Sequence, residues 1–277
     1  MRRTLCLLVL LPLLARAATV APQRIVTLAP HLTELVFAAG AGDRIVGTLD
    51  TSDYPAAARR IPRIGDVQHI DAERLLALQP DLVLEWGDGQ PASEHALITR
   101  LHVSSLALEQ HALEDVPASL ERLGRLFGTA PIADAEAARW RRELAALRNR
   151  YSGARHLRVF WQVWSAPLFT LGGHHVATEM LQVCGADNIF AEQTLSAVAV
   201  DEEAVLARHP DVLVLTGTVA ENADWLRRWN ARVPPVALRT GAVIALDPDL
   251  VNRTGPRLLQ GTQLLCERLA ALRVAHP

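Results

Sequence analysis

Residues 70–87 read IDAERLLALQPDLVLEWG, and residues 200–217 read VDEEAVLARHPDVLVLTG. Aligned at an offset of 130, Asp71, Glu73, Leu76, Ala77, Pro80, Asp81 and Gly87 coincide with Asp201, Glu203, Leu206, Ala207, Pro210, Asp211 and Gly217. Each copy has one physical reading. Asp71 or Asp201 caps a short helix, the proline stops it, and the second aspartate turns the chain into a buried strand. A single helix–Pro–Asp–strand turn is commonplace. A second, weaker match in the same order argues that a whole unit is duplicated: Thr33-Glu34 before Gly40-Ala41 resembles Thr178-Glu179 before Gly185-Ala186.

Outward from the repeat, short β-branched runs at 24–28, 44–48, 81–86, 103–108, 158–163, 211–216 and 242–246 alternate with helical patterns at 32–39, 71–78, 116–127 and 202–208. That alternation predicts βαβ units and largely parallel sheets. Between the copies, 130–150 carries Pro131 at its second position, tolerated near a helix N-terminus. It continues in Ala, Leu, Glu and Arg, with Trp140, Leu144 and Leu147 on one stripe. The expected fold is α/β: two Rossmann-like lobes, 22–128 and 155–277, joined by one long α-helix at 129–151, with a ligand cleft between the lobes. A single helix as connector predicts only modest opening of that cleft.

The N-terminus reads as a secretory signal over residues 1–18. Arg2 and Arg3 precede an apolar run from Leu5 to Leu14, and Ala15-Arg16-Ala17 supplies the small residues of a cleavage site, placed near Ala17 or Ala18. The run is shorter than the ~20 residues a spanning helix needs. Loss of the leader takes three arginines, leaving 25 basic against 30 acidic residues, net −5. An acidic mature chain without a basic face argues against nucleic acid as a partner. Cys6 leaves with the leader, so Cys184 and Cys266 remain in an oxidising compartment. They either form a disulfide or stay as buried thiols.

No dinucleotide or P-loop fingerprint surrounds Gly172-Gly173, and no G-x-S-x-G elbow occurs. The reading is therefore of a protein that is not an enzyme. Ten histidines include His31, His69 and the adjacent His174 and His175, but none has metal-ligand spacing. A loop or cap role is expected for His174 and His175, and no metal site.

RIVTLAPHLTELVFAAGAGDRIVGTLDTSDYP, IDAERLLALQPDLVLEW, VCGADNIF and DLVNRTGPRLLQGTQLLC together resemble the periplasmic cobalamin-binding proteins. These are helical-backbone substrate-binding proteins that serve ABC importers. The resemblance covers essentially the mature chain. It implies a periplasmic protein, monomeric when free, that captures a corrinoid as transported ligand, with no cofactor, and hands it to permease subunits. It implies that Glu73 and Glu203, one per lobe, dock onto permease arginines, and that Cys184 and Cys266 form the family's disulfide. It also implies that Asp249 and Arg253 hydrogen-bond the ligand and that Trp86 and Phe169 wall the cleft. By spacing alone, Asp249 and Arg253 read as an i,i+4 ion pair.

Three aromatic positions of the family hold Thr51, Val67 and Ala197 here. Tyr54, Trp161 and Trp164 are the expected replacements. The same scaffold carrying haem or a ferric siderophore is the alternative reading, and an exported enzyme or structural protein the third.

Overall fold

The computed structural model describes residues 20–87, 89–231 and 242–275. The expected leader, with its cleavage near Ala17 or Ala18, lies outside the described residues. So do the last two residues of the chain.

The first lobe runs β1 (Ile25–Thr27), α1 (Pro30–Ala38), β2 (Ile45–Thr48), α2 (Ala72–Ala77), β3 (Leu82–Trp86), α3 (Ala92–Arg100), β4 (Ser105–Leu108) and α4 (Asp115–Phe127). Its strands are all parallel, in the order β2-β1-β3-β4. Alternation along them divides the apolar side chains between two faces. Ile25, Leu82 and Leu84 enter one core, and Val26, Leu28 and Val83 the other. Burial on both faces is what an all-parallel sheet requires.

The helix α5 (Ala130–Tyr151) follows. Its buried residues are Ala133, Ala137, Trp140, Leu144, Leu147 and Tyr151, recurring every three or four positions. That stripe makes the two lobes share one core: Leu32 of the first lobe, Trp140, and Phe160 of the second belong to a single buried cluster.

The second lobe runs β5 (Leu157–Ser165), β6 (Leu168–Leu171), α6 (Val176–Val183), β7 (Ala186–Asn188), β8 (Ala197–Ala199), α7 (Glu202–Ala207), β9 (Val212–Leu215), α8 (Val219–Asn230), β10 (Val243–Ala245), α9 (Pro248–Val251) and α10 (Leu258–Ala275). Its sheet is ordered β10-β9-β5-β6-β8, with β7 also on β5. The sheets are largely parallel, as expected; the exception is β6, antiparallel to both β5 and β8. β6 and β8 span four and three residues, too short to show strand alternation.

The repeat has the same hydrogen bonds in both lobes. Asp71 accepts from the Arg74 backbone N–H at 3.0 Å, and Asp201 from that of Ala204 at 2.6 Å. Gln79 and His209, one residue before each proline, share a left-handed φ of 45°, which ends each helix. The aspartate after the proline does more than turn the chain. Asp81 accepts the N–H groups of Gln23 and Arg24, and Asp211 that of Arg158, all within 2.9 Å. Arg24 and Arg158 in turn donate to the last carbonyls of the repeated helices, Leu78 and Arg208. Each unit is thus tied to the start of its neighbouring strand. The second match holds as well: Gly40 and Gly185 both have positive φ, 80° and 67°, a conformation in which glycine carries no steric penalty.

Cys184 and Cys266 form a disulfide between the end of α6 and α10, closing 82 residues, with both cysteines fully buried. Cys184→Ala with Cys266→Ala is expected to cost about 4 kcal/mol of unfolding free energy on the chain-entropy account. Urea denaturation with and without dithiothreitol checks this: reductant should lower the wild-type midpoint and leave the double variant unmoved. Among the described residues no helix is long and apolar enough to cross a membrane.

Candidate ligand-binding site

In parallel α/β sheets, ligands bind beyond the carboxyl ends of the strands. In the first lobe those ends carry Trp86, which closes β3, and the segment 49–55 after β2. The loop from Leu49 to Asp53 is anchored from below by Thr27, Thr33, Thr48 and Ser52. These four fully buried hydroxyls bond to one another at 2.7–3.2 Å. The network satisfies every member internally, as burial demands, and it fixes where Asp53 and Tyr54 emerge.

Asp53 meets Arg253 from the other end of the sequence. The Arg253 guanidinium donates to Asp53 Oδ1 at 2.7 Å, pairs with Asp249 Oδ1 at 2.8 Å, and lies 3.6 Å from Glu34 Oε1. The i,i+4 spacing of Asp249 and Arg253 therefore forms the ion pair that it suggested. Arg257 grips the same Glu34 with two hydrogen bonds, 2.7 and 3.0 Å, and lies 4.3 Å from the centre of the Tyr54 ring. Three carboxylates face two guanidiniums. Burial pushes the Glu34 carboxyl up despite its arginines. Burial also leads the upward push on Asp249, with the charges of Asp53 and Asp247 adding to it. At Asp53 burial works upward too, but the hydrogen bond and charge of Arg253 outweigh it and hold the carboxyl down. The result is an arginine whose position is set from both ends of the chain.

His31, at the start of α1, connects this cluster to Trp86. Its ring meets the indole edge-on, 5.2 Å between centres, and a Cβ on Gly255 would stand 3.2 Å from the His31 Cβ. Burial, then the nearby charge of Arg253, lowers the His31 pKa to about 3. The imidazole is therefore neutral at ordinary pH. Among the described residues no group of three potential ligands is placed to hold a metal.

The second lobe supplies the β5–β6 hairpin. Trp164 and Phe169 are cross-strand partners there. Trp164 is 52% exposed, with its indole N–H on the Ala166 carbonyl, and Phe169 is half-buried. A cavity of about 400 Å³ between this hairpin and α8 is lined by Trp164, Asp224, Trp225 and Arg228 among others. Another, of about 390 Å³, lies beneath Tyr54 between α1, α5 and α10.

The sequence-predicted residues thus fall into groups. Tyr54, Asp249 and Arg253 share one cluster, with Trp86 joined to it through His31. Trp164 and Phe169 form a second patch. Trp161 requires correction: it is 0% exposed and belongs to the shared core. β5 lies between β9 and β6 with both faces covered, so a tryptophan in its middle is packing. Three positions apart, the two tryptophans would face opposite sides of a regular strand, so their closeness in sequence gives them no shared wall. His175 caps α6 by accepting from the Ala177 N–H at 3.1 Å, the cap role expected of it. Sequence reading missed Asp53, Arg257 and Glu34 as partners. Their only signal was membership of the SDYP, Thr-Glu and DLVNRTGPRLLQ segments.

Glu73 and Glu203 occupy equivalent places in the first turns of α2 and α7, and both are exposed. Among the described residues neither makes a hydrogen bond or ion pair, whereas nearby Asp71 and Asp201 are both spent on caps.

The profile of the periplasmic binding protein family matches residues 25–250. A vitamin B12-binding protein of Pectobacterium carotovorum is 35% identical over 262 residues, covering 94% of this chain and 93% of that one. The periplasmic vitamin B12 binding protein BtuF of Vibrio cholerae superposes with a TM-score of 0.82 at 31% identity, over 92% of this chain and 99% of that one. A periplasmic heme binding protein from Pseudomonas aeruginosa superposes at 0.77 with 25% identity, over 88% and 91%.

Proposed function

Because the chain belongs to the periplasmic binding protein family, we propose that it captures cobalamin or a related corrinoid between its lobes and delivers it to the permease of an ABC importer. The observation that carries this reading is the 35% identity to a vitamin B12-binding protein along almost the whole of both chains. On this reading residues 1–18 direct export to the periplasm and are removed near Ala17 or Ala18. Lobes 22–128 and 155–277 then close on the ligand about the helix 129–151, and the free protein is a monomer.

Tyr54, Trp86, Trp164 and Phe169 offer flat apolar surface to a macrocycle, and Asp249 and Arg253 offer placed polar groups, the usual composition of a ligand pocket. Trp161 has no part in it. Glu73 and Glu203 are the docking groups. Haem is the second reading, favoured by the likeness to the Pseudomonas aeruginosa protein.

Titration with cyanocobalamin, cobinamide and haem, followed by calorimetry and absorbance, separates the two. A saturable heat with at least one corrinoid, and a Soret band unmoved by the protein, is expected. A Soret shift with no corrinoid heat would transfer the assignment to haem.

A further inference from the structure

Beyond β3 the chain folds back over Trp86. Gly89 lies flat on the indole: a Cβ there would stand 2.1–2.3 Å from Cε2, Cδ2 and Cζ2. Only a residue without a side chain fits that approach. The Gly87 N–H donates to the Leu108 carbonyl at 3.0 Å, and the Gln90 N–H to the Trp86 carbonyl at 3.1 Å. The backbone position of Gln90 is therefore set by the tryptophan.

The Gln90 side chain then does something unusual. Both its amide nitrogen and its amide oxygen are shielded from solvent, and among the described residues neither has a hydrogen-bond partner. His31 Nε2, on the ring that meets the same indole edge-on, is another buried polar atom without a partner among the described residues. Buried polar groups in folded proteins are nearly always paired, and an unmade hydrogen bond is costly. Among the described residues nothing hydrogen-bonds this amide. Gln90 as a whole is only half-buried, so part of the residue borders solvent.

We propose that Gln90 is a specificity-determining ligand contact, whose carboxamide pairs with a neutral carboxamide on the rim of a corrinoid lying against Trp86. This rests on the corrinoid reading above. An amide offers one donor group and one acceptor and matches another amide at both ends. A carboxylate at the same place, on haem or on a hydrolysed corrin, offers acceptors alone and leaves the Gln90 oxygen unmatched.

Gln90→Leu keeps the size and removes both polar ends. Its expected signature has two parts. The melting temperature of the ligand-free protein stays the same or rises, because an unsatisfied amide has been replaced by an apolar group. Cobinamide binds roughly tenfold more weakly, the loss of a buried hydrogen-bonded pair. Cobyrinic acid, which carries carboxylates where cobinamide carries amides, supplies the reading that a structural role would not move. The ratio of its Kd to that of cobinamide should fall several-fold from wild type to Gln90→Leu. Cobinamide affinity within twofold of wild type, an unchanged ratio, or a drop in melting temperature matching the loss of binding would each overturn the role of Gln90. Wild-type protein that binds neither corrinoid would instead overturn the corrinoid reading itself.

Discussion

Acidification from pH 6.5 to 3 is expected to remove about 5 kcal/mol of folding stability through His31 alone. The imidazole is 3% exposed, and its pKa falls from 6.5 to about 3 through burial and the charge of Arg253. The sign follows from linkage. An unfolded chain takes up the proton near pH 6.5, whereas the folded chain resists it down to about pH 3. The stabilisation is complete above pH 6.5 and drains away as pH falls through that interval, at up to about 1.4 kcal/mol per pH unit. Glu34 and Asp249 act oppositely, because their carboxyls are pushed up in the fold. They favour the folded state as they protonate. Asp53, held down, adds to the acid loss. The His31 share is isolated by comparison with His31→Gln, which cannot titrate. Urea unfolding at half-unit steps between pH 4.5 and 6.5 should give a wild-type slope steeper by nearly one proton. Equal slopes would show that the imidazole titrates as freely in the fold as in the unfolded chain.

What was legible in the sequence follows the range of each interaction. The cap, the proline and the left-handed residue of the repeat lie within ten positions of one another, so their chemistry can be read locally. The tie from Arg158 to the carbonyl of Arg208 spans 50 positions, and that from Arg253 to Asp53 spans 200. No periodicity reports such pairs. Trp161 shows the opposite failure. An aromatic near Trp164 and near the carboxyl end of a strand looks like a wall residue, but the two-sided cover of β5 makes it core. The repeat also concealed a difference between its matched glutamates. Glu34 holds Arg257 of the closing segment at 2.7 Å. Glu179 holds Arg148 of α5 at 2.6 Å and the Leu113 N–H of the first lobe at 2.7 Å. Both have become ties between the lobes, each reaching out of its own unit to a different partner. Together with the core shared through α5, they give a physical reason for the limited opening expected of a single-helix connector.

Reversal of both repeated glutamates, Glu73→Arg with Glu203→Arg, is expected to reduce corrinoid import to background while leaving solution affinity within twofold. The two carboxylates stand at matched positions in six-residue helices, exposed and unpaired among the described residues. On the proposed docking, each reversal would replace attraction to a permease arginine by repulsion, and close interfacial charge pairs couple by about 1.5–7 kcal/mol. Even the low end at both sites weakens docking by a hundredfold or more. A transporter with two-fold symmetry offers the same surface to each lobe, so the single variants should fall between wild type and the double, with similar defects. Glu202 next to Glu203 serves as the control, because it already has a partner within the protein and Glu202→Arg should transport nearly normally. Counterflow into vesicles, paired with calorimetry on the free binding protein, measures both quantities. Loss of affinity in the double variant would move these glutamates from docking to ligand binding, and normal import would remove them from the interface. Rescue of the double variant by a permease carrying the reciprocal Arg→Glu changes would fix both the contact and its register.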